Sequence, residues 1–270
     1  MRAAFYISDG TAITSEVFGH ALLSLFPIEF EHFTIPFVET EQHALEVIEQ
    51  IKRAYEKTGE RPLVFYTMVN LDIGRIISHS VGINYKFLDQ FVAPLEKVIG
   101  VPSKPEKHRT HSMHEKTYDI RIEAVNYALA NDDGSNLKDY QEADIILVGV
   151  SRSGKTPTSL YLALQYGIKA ANYPFTEDDM GDILKLPPIL RRFKNKLFGL
   201  TIGADRLQEI RSERRANSRY ASIKQCRMEL REVENLYRKE MIPFLNSTSF
   251  SVEEISAKIL ATTGLQRRKY

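Results

Sequence analysis

The chain of 270 residues has a single cysteine, Cys226, so no disulfide can form within it. That excludes a disulfide-stapled scaffold and fits a reducing compartment. It has no excess charge of either sign: 36 basic against 35 acidic residues leave a formal charge of +1. No overall electrostatic attraction to nucleic acid or to a membrane surface follows from that balance. No run approaches 18 uninterrupted apolar residues, and the opening MRAAFYISDGTAIT turns polar after seven residues without a signal-type apolar core. These features exclude a spanning helix and predict a cytoplasmic protein. Internal repeats and low-complexity segments are also missing. An apolar content of 43% and a charged content of 26% are those of a folded globular chain.

The patterning alternates between strand and helix. AAFYIS (3–8), FEHFTIPFV (30–38) and RPLVFYTMV (61–69) read as strands with amphipathic stretches between them, and helical material runs from there to about Gly100. The segment VPSKPEKHRTHSMHEKT (101–117) is polar and basic with two prolines, as a connector would be. After it come a helix, the turn NDDG, the apolar strand ADIILV, a loop and helix, and the strands KAANYPF and KLFGLTIG. Two helical segments follow, then IPFLNST and a last helix whose Ser251 and Glu254 form a capping box. The expectation is an α/β protein: an N-terminal α/β unit over 1–105 and a C-terminal P-loop kinase-like parallel-sheet domain over 106–270.

The most specific motif is GVSRSGKT, comprising Gly149, Val150, Ser151, Arg152, Ser153, Gly154, Lys155 and Thr156. It satisfies G-x-x-x-x-G-K-[ST] and lies between an apolar strand and a helix-compatible segment, the context the motif requires. The glycines let successive N–H groups turn toward an anion at a helix N-terminus. Lys155 is placed to reach the terminal phosphates, and the Thr156 hydroxyl to hold magnesium. Pro157 sits in the first helical turn, where a missing N–H costs nothing. Arg152 adds a second cation within the loop.

A Walker B carboxylate is missing from the end of KLFGLTIG, and Asp205 lies two residues beyond it. Asp132 and Asp133 in the NDDG turn are candidates for the metal or for a general base, set against a plain D-G turn. In DRLQEIRSERRANSR, Arg211, Arg214 and Arg215 share one helical face suited to clamping phosphoryl oxygens. The competing use is a solvated face paired with Glu209 and Glu213. The turn Ser8-Asp9-Gly10-Thr11 offers donors to an anion or caps a helix. His108, His111 and His114 lack metal-site spacing and suit basic contacts better. Ile223, Cys226, Leu230, Val233 and Tyr237 mark one apolar helix face, either core or a homodimer seam.

From end to end, ISDGTAITSE, YDIRIEAVNYALANDDG, ILVGVSRSGKTPTSLYLA, AANYPF, RSERRANSRYAS and NSTSFSVEEISAKIL resemble the bacterial phosphoenolpyruvate synthase regulatory family. These are bifunctional serine/threonine kinases and phosphorylases, related to the pyruvate, phosphate dikinase regulators. ASIKQCRMEL and ENLYRKEMIPFLNST favour the synthase branch. The resemblance implies ADP-dependent phosphorylation of a target threonine, which inactivates phosphoenolpyruvate synthase. It also implies removal of that phosphate by inorganic phosphate, releasing pyrophosphate.

Carried onto this chain, it makes Gly149 to Thr156 the ADP site, with Lys155 and Arg152 stabilising the transferred group. It raises Asp132 and Asp133 as base or metal candidates, and the SDGT turn as part of a target surface or site rim. The protein-kinase signatures H-R-D, D-F-G and G-x-G-x-x-G are absent, which agrees with a kinase built on a P-loop. Two other readings stay open: a P-loop kinase for a small metabolite, and a nucleotide-binding sensor without chemistry.

Overall fold

A computed structural model describes residues 1–103, 115–176, 179–180 and 184–266. The chain divides into two compact units, residues 1–112 and 113–270. The His108, His111 and His114 triplet lies outside the described residues.

The first unit runs β1 (Arg2–Ser8), α1 (Ile13–Leu23), β2 (Phe30–Ile35), α2 (Glu41–Thr58), β3 (Leu63–Thr67), α3 (Leu71–Ser78), β4 (Ile83–Lys86) and α4 (Phe87–Ile99). Its four strands form a wholly parallel sheet in the order β2-β1-β3-β4. Strands β1 and β3 are central and buried almost throughout, which is why they read as unbroken apolar runs. One face packs Phe5, Ile7, Val64 and Tyr66 against Val47 and Ile51 of α2 and Ile73 and Ile77 of α3. The other packs Tyr6 and Phe65 with Leu23 and Phe87.

Two sequence expectations change in this unit. Residues 83–86 form a strand beside β3, where helix was expected to run on to Gly100. The turn at 8–11 does not cap α1, whose N-cap is Ala12 at φ 61° with no side-chain cap. Instead the Asp9 carboxylate accepts from the N–H groups of Val69 and Asn70 at 2.9 and 2.7 Å, and the Ser8 hydroxyl donates to the Thr67 carbonyl at 2.8 Å. The turn therefore ties the end of β1 to the loop after β3.

The second unit contains α5 (Glu115–Ala130), a 3-10 turn (Asp132–Gly134), β5 (Ile145–Val150), α6 (Lys155–Tyr166), β6 (Ala170–Phe175), α7 (Pro188–Arg191), β7 (Leu197–Thr201), α8 (Ala204–Arg214), α9 (Ile223–Glu240), β8 (Phe244–Asn246) and α10 (Val252–Thr263). Its sheet is also parallel, ordered β6-β5-β7-β8. The chain leaves β5 toward β6 on one side, while β7 lies on the other. The carboxyl end of β5 is thus a topological switch point, the usual place for a ligand in such sheets.

The α9 face belongs to the core of its own unit: Cys226, Leu230, Val233 and Tyr237 pack with Ile146, Val148, Leu197 and Leu207. That occupation removes the argument for a homodimer seam along this face. The capping box at α10 forms in full, Ser251 accepting from the Glu254 N–H and Glu254 from that of Ser251. No helix among the described residues is long and apolar enough to cross a membrane.

Candidate active site

Strand β5, IILVGV, is buried at every position and delivers the loop 151–154 to the carboxyl edge of the second sheet. Gly149 is inside the strand, and the reason is close backbone approach. A Cβ there would lie 2.4 Å from the Leu200 carbonyl oxygen of β7. Gly154 has φ +92°, a left-handed conformation that side chains resist, and it is the N-cap of α6. Arg152 also takes a left-handed φ of 75°, an uncommon setting for a non-glycine residue and one that functional turns often hold. Since no side chain caps α6, its first N–H groups and its dipole remain available to an anion.

Lys155 is the first residue of α6 and is 4% exposed, with Nζ donating to the Val150 carbonyl at 3.0 Å. Burial pulls its pKa down to about 8, opposed by Asp133 and Asp132 and assisted by Arg211. The Thr156 hydroxyl donates to Oδ1 of Asp132 at 2.8 Å. The same oxygen accepts from the Asn172 side chain, whose own oxygen accepts from the Asp133 N–H at 2.9 Å. Asn172 is fully buried in β6, and its backbone carbonyl accepts from the buried Tyr140 hydroxyl at 2.7 Å. Asp132 is half-buried and Asp133 exposed, at the left-handed φ of 49°.

A cleft of about 500 Å³ opens over these groups. Asp132, Asp133, Arg152, Lys155 and Arg214 supply its charged lining, Ser151 and Thr156 its hydroxyls, and Ile210 an apolar patch. It combines three cations, a free helix N-terminus and two carboxylates, an arrangement able to hold a polyphosphate and accept a proton beside it. Among the described residues no group of three or more His, Cys, Asp or Glu could hold a metal by itself. The pair Thr156 and Asp132 nonetheless offers two hard oxygens in contact, which suits magnesium, an ion that takes few protein ligands beside phosphates and water.

The arginines of the run have different placements. Arg211 is not a phosphoryl clamp: it is 1% exposed and bonded to Glu229 of α9 at 2.6 Å. Arg214 faces the cleft, whereas Arg215 is an exposed C-cap residue. Arg206 pairs with Glu209 at 3.0 Å on the solvated face. Asp205 is exposed and pairs with Arg227 at 3.7 Å, so the carboxylate beside the threonine comes from the turn ahead of β5 rather than the end of β7.

Several supporting residues escape sequence reasoning. Asn172 left one trace, a polar residue in the apolar strand AANYPF. Ser247 donates to the Ser153 and Thr201 carbonyls at 3.1 and 3.0 Å, and nothing in IPFLNST marks that role. Tyr220 bonds the loop residue Ser151, and Glu229 bonds Arg211, which reaches the same residue, through contacts that no local pattern encodes.

The sequence profile of the kinase/pyrophosphorylase family matches residues 4–260. Curated relatives cover the whole chain over their own whole length. One from Alteromonas mediterranea is 83% identical, one from Pseudoalteromonas atlantica 81% and one from Colwellia psychrerythraea 66%. Each carries, provisionally, the name phosphoenolpyruvate synthase regulatory protein. With the match spanning both units and residues 149–156 lying within it, the chain belongs to the kinase/pyrophosphorylase family.

Proposed function

We propose that this protein regulates phosphoenolpyruvate synthase by phosphorylating a threonine of that enzyme with ADP as donor, and by removing the phosphate with inorganic phosphate. The observation that carries the reading is the juxtaposition of the phosphate loop with the Asp132–Asp133 turn in one cleft. Family membership and the names of the full-length relatives support a phosphotransfer chemistry and phosphoenolpyruvate synthase as the target.

In the forward direction the threonine oxygen attacks the β-phosphorus of ADP, the bond to the bridging oxygen breaks and AMP leaves. Asp133, exposed at the cleft and adjacent to the Thr156 partner, accepts the threonine proton. Lys155, Arg152 and Arg214 offset charge on the transferred group. In the reverse direction a phosphate oxygen attacks the phosphothreonine phosphorus, the bond to the threonine oxygen breaks, that oxygen recovers a proton and pyrophosphate leaves. Thr156 and Asp132 would hold magnesium, which supplies charge neutralisation between phosphoryl oxygens.

The test is mass spectrometry of the purified synthase after incubation with this protein and either ADP or ATP. Phosphothreonine with ADP alone supports the reading. Phosphorylation of a small metabolite with the synthase untouched would replace it with the metabolite-kinase reading. Tight nucleotide-dependent association without phosphate transfer would favour a sensor.

A further inference from the structure

The loop residue Ser151 is held at its carbonyl and at its hydroxyl by side chains from outside the motif. Its carbonyl accepts from Arg211 Nη2 at 3.2 Å, and its hydroxyl is bonded to the Tyr220 hydroxyl at 3.0 Å. Arg211 and Tyr220 are themselves one assembly. The guanidinium stacks on the Tyr220 ring with its carbon 4.1 Å from the centroid, and Nη1 donates to the Tyr220 carbonyl at 3.0 Å. Glu229 closes the chain of contacts, accepting from Arg211 on Oε2 and from Gln225 at 3.0 Å on Oε1.

This arrangement costs too much to be incidental. A buried arginine and a buried glutamate must both be desolvated, and such pairs rarely add stability over an apolar core. Their geometry instead delivers a fixed, planar donor to one backbone carbonyl of the phosphate loop. The residue after Ser151 is Arg152, in its left-handed conformation, so fixing Ser151 fixes where that strained turn begins. The same helix α8 that carries Arg211 carries Arg214 into the cleft. The tether therefore also sets the distance between the loop and a facing cation.

We infer that Tyr220 and Arg211, backed by Glu229, are positioning residues for phosphoryl transfer: they hold Ser151 so that the loop and Arg214 present a pre-formed phosphate site. Neither needs to touch the nucleotide. Arg211 has its charge taken up by Glu229, which leaves Arg152, Lys155 and Arg214 as the cations facing the phosphates. Preorganisation of this kind acts on binding and on the transition state, because a loosened loop must be ordered at each turnover.

The inference rests on the nucleotide reading of the cleft, and the experiment separates the two. Tyr220→Phe keeps the ring under Arg211 and deletes only the hydroxyl; Ser151→Ala deletes its partner. In the full-length protein, each is expected to lower kcat/KM for ADP about fivefold, the scale of one neutral hydrogen bond. The double variant is expected to lose no more than either single one, with the melting temperature of all three within the scatter of the parent. Multiplied losses in the double variant, or full activity in Tyr220→Phe, would overturn the inference. So would a lowered melting temperature in Tyr220→Phe with unchanged kcat/KM, which would assign the tyrosine to the core alone. Lys155→Ala in the same ADP titration is the control: if it binds ADP as the parent does, the site assignment fails, and the positioning inference falls with it.

Discussion

Thr156 and Asp132, 24 positions apart in the chain, are joined by a hydrogen bond of 2.8 Å from hydroxyl to carboxylate. The bond brings the last residue of the phosphate motif onto the turn that precedes its strand. Both side chains are hard oxygen donors of the kind magnesium takes, and the pair would hold the ion beside a bound phosphate. Asp132→Asn is expected to raise the magnesium concentration for half-maximal phosphorylation roughly 10–100-fold. Thr156→Ala should act in the same direction. A magnesium titration of the initial rate measures both, and an unchanged requirement would remove the pair from metal binding.

Asp133 makes a different prediction from its neighbour. Its backbone N–H is held by Asn172 while its side chain stays exposed at the cleft, with no hydrogen-bond partner among the described residues. Asp133→Asn preserves shape and removes the base. A loss of roughly 10²–10⁴ in kcat is expected, with ADP affinity within about twofold of the parent. Loss of affinity with kcat intact would make it a binding residue.

Lys155 supplies a pH test. Its ammonium is desolvated by burial, and its pKa falls from 10.5 to about 8. Since only the charged form attracts phosphate, affinity for ADP should decline as pH rises through about 8, and a Lys155→Met variant should lack that limb. The stability effect has the opposite slope. Between about 8 and 10.5 the unfolded chain keeps a proton that the folded protein has released, so this group's contribution to stability rises with pH in that window. Binding isotherms and denaturation curves at matched pH values check the two signs separately.

Gly149→Ala would place a methyl group 2.4 Å from a backbone oxygen of β7, an obstacle no rotamer change relieves. Separation of β5 from β7 should cost at least ~3 kcal/mol, at the upper end of overpacking in a core. Urea denaturation of the variant, compared with the parent, reads this directly as a lowered midpoint.

The division of the arginines is equally testable. Arg214→Ala should lower kcat/KM at least about tenfold, as expected for a cation facing the transferred group, whereas Arg215→Ala should stay within about twofold. Equal losses at the two positions would return the whole run to a general electrostatic role.

The strand, loop and helix around residues 149–156 were legible because their information is contiguous: eight motif residues, an apolar strand before them and a helix after. The capping box at Ser251 and Glu254 is local in the same way. What escaped was long-range. Strand β4 is four residues long and exists only through pairing with β3, so periodicity carried the helix straight through it. Arg211 looked like its exposed neighbours, because its partner Glu229 lies 18 residues away on another helix. The Asp9 turn carries the signature of a helix cap, yet the N–H groups it satisfies belong to residues 69 and 70. Asn172 could be noticed in its strand, but its link to Asp132 required the sheet to be assembled.

The most direct test follows a single phosphorus atom through both reactions. The synthase is incubated with this protein and ADP labelled at the β-phosphate, freed of nucleotide, and then given unlabelled inorganic phosphate with fresh enzyme. Label is expected first on a threonine of the synthase and then in pyrophosphate, with Lys155→Ala failing in both steps. Label that never leaves ADP, or that returns from the threonine as inorganic phosphate alone, would contradict the proposed function.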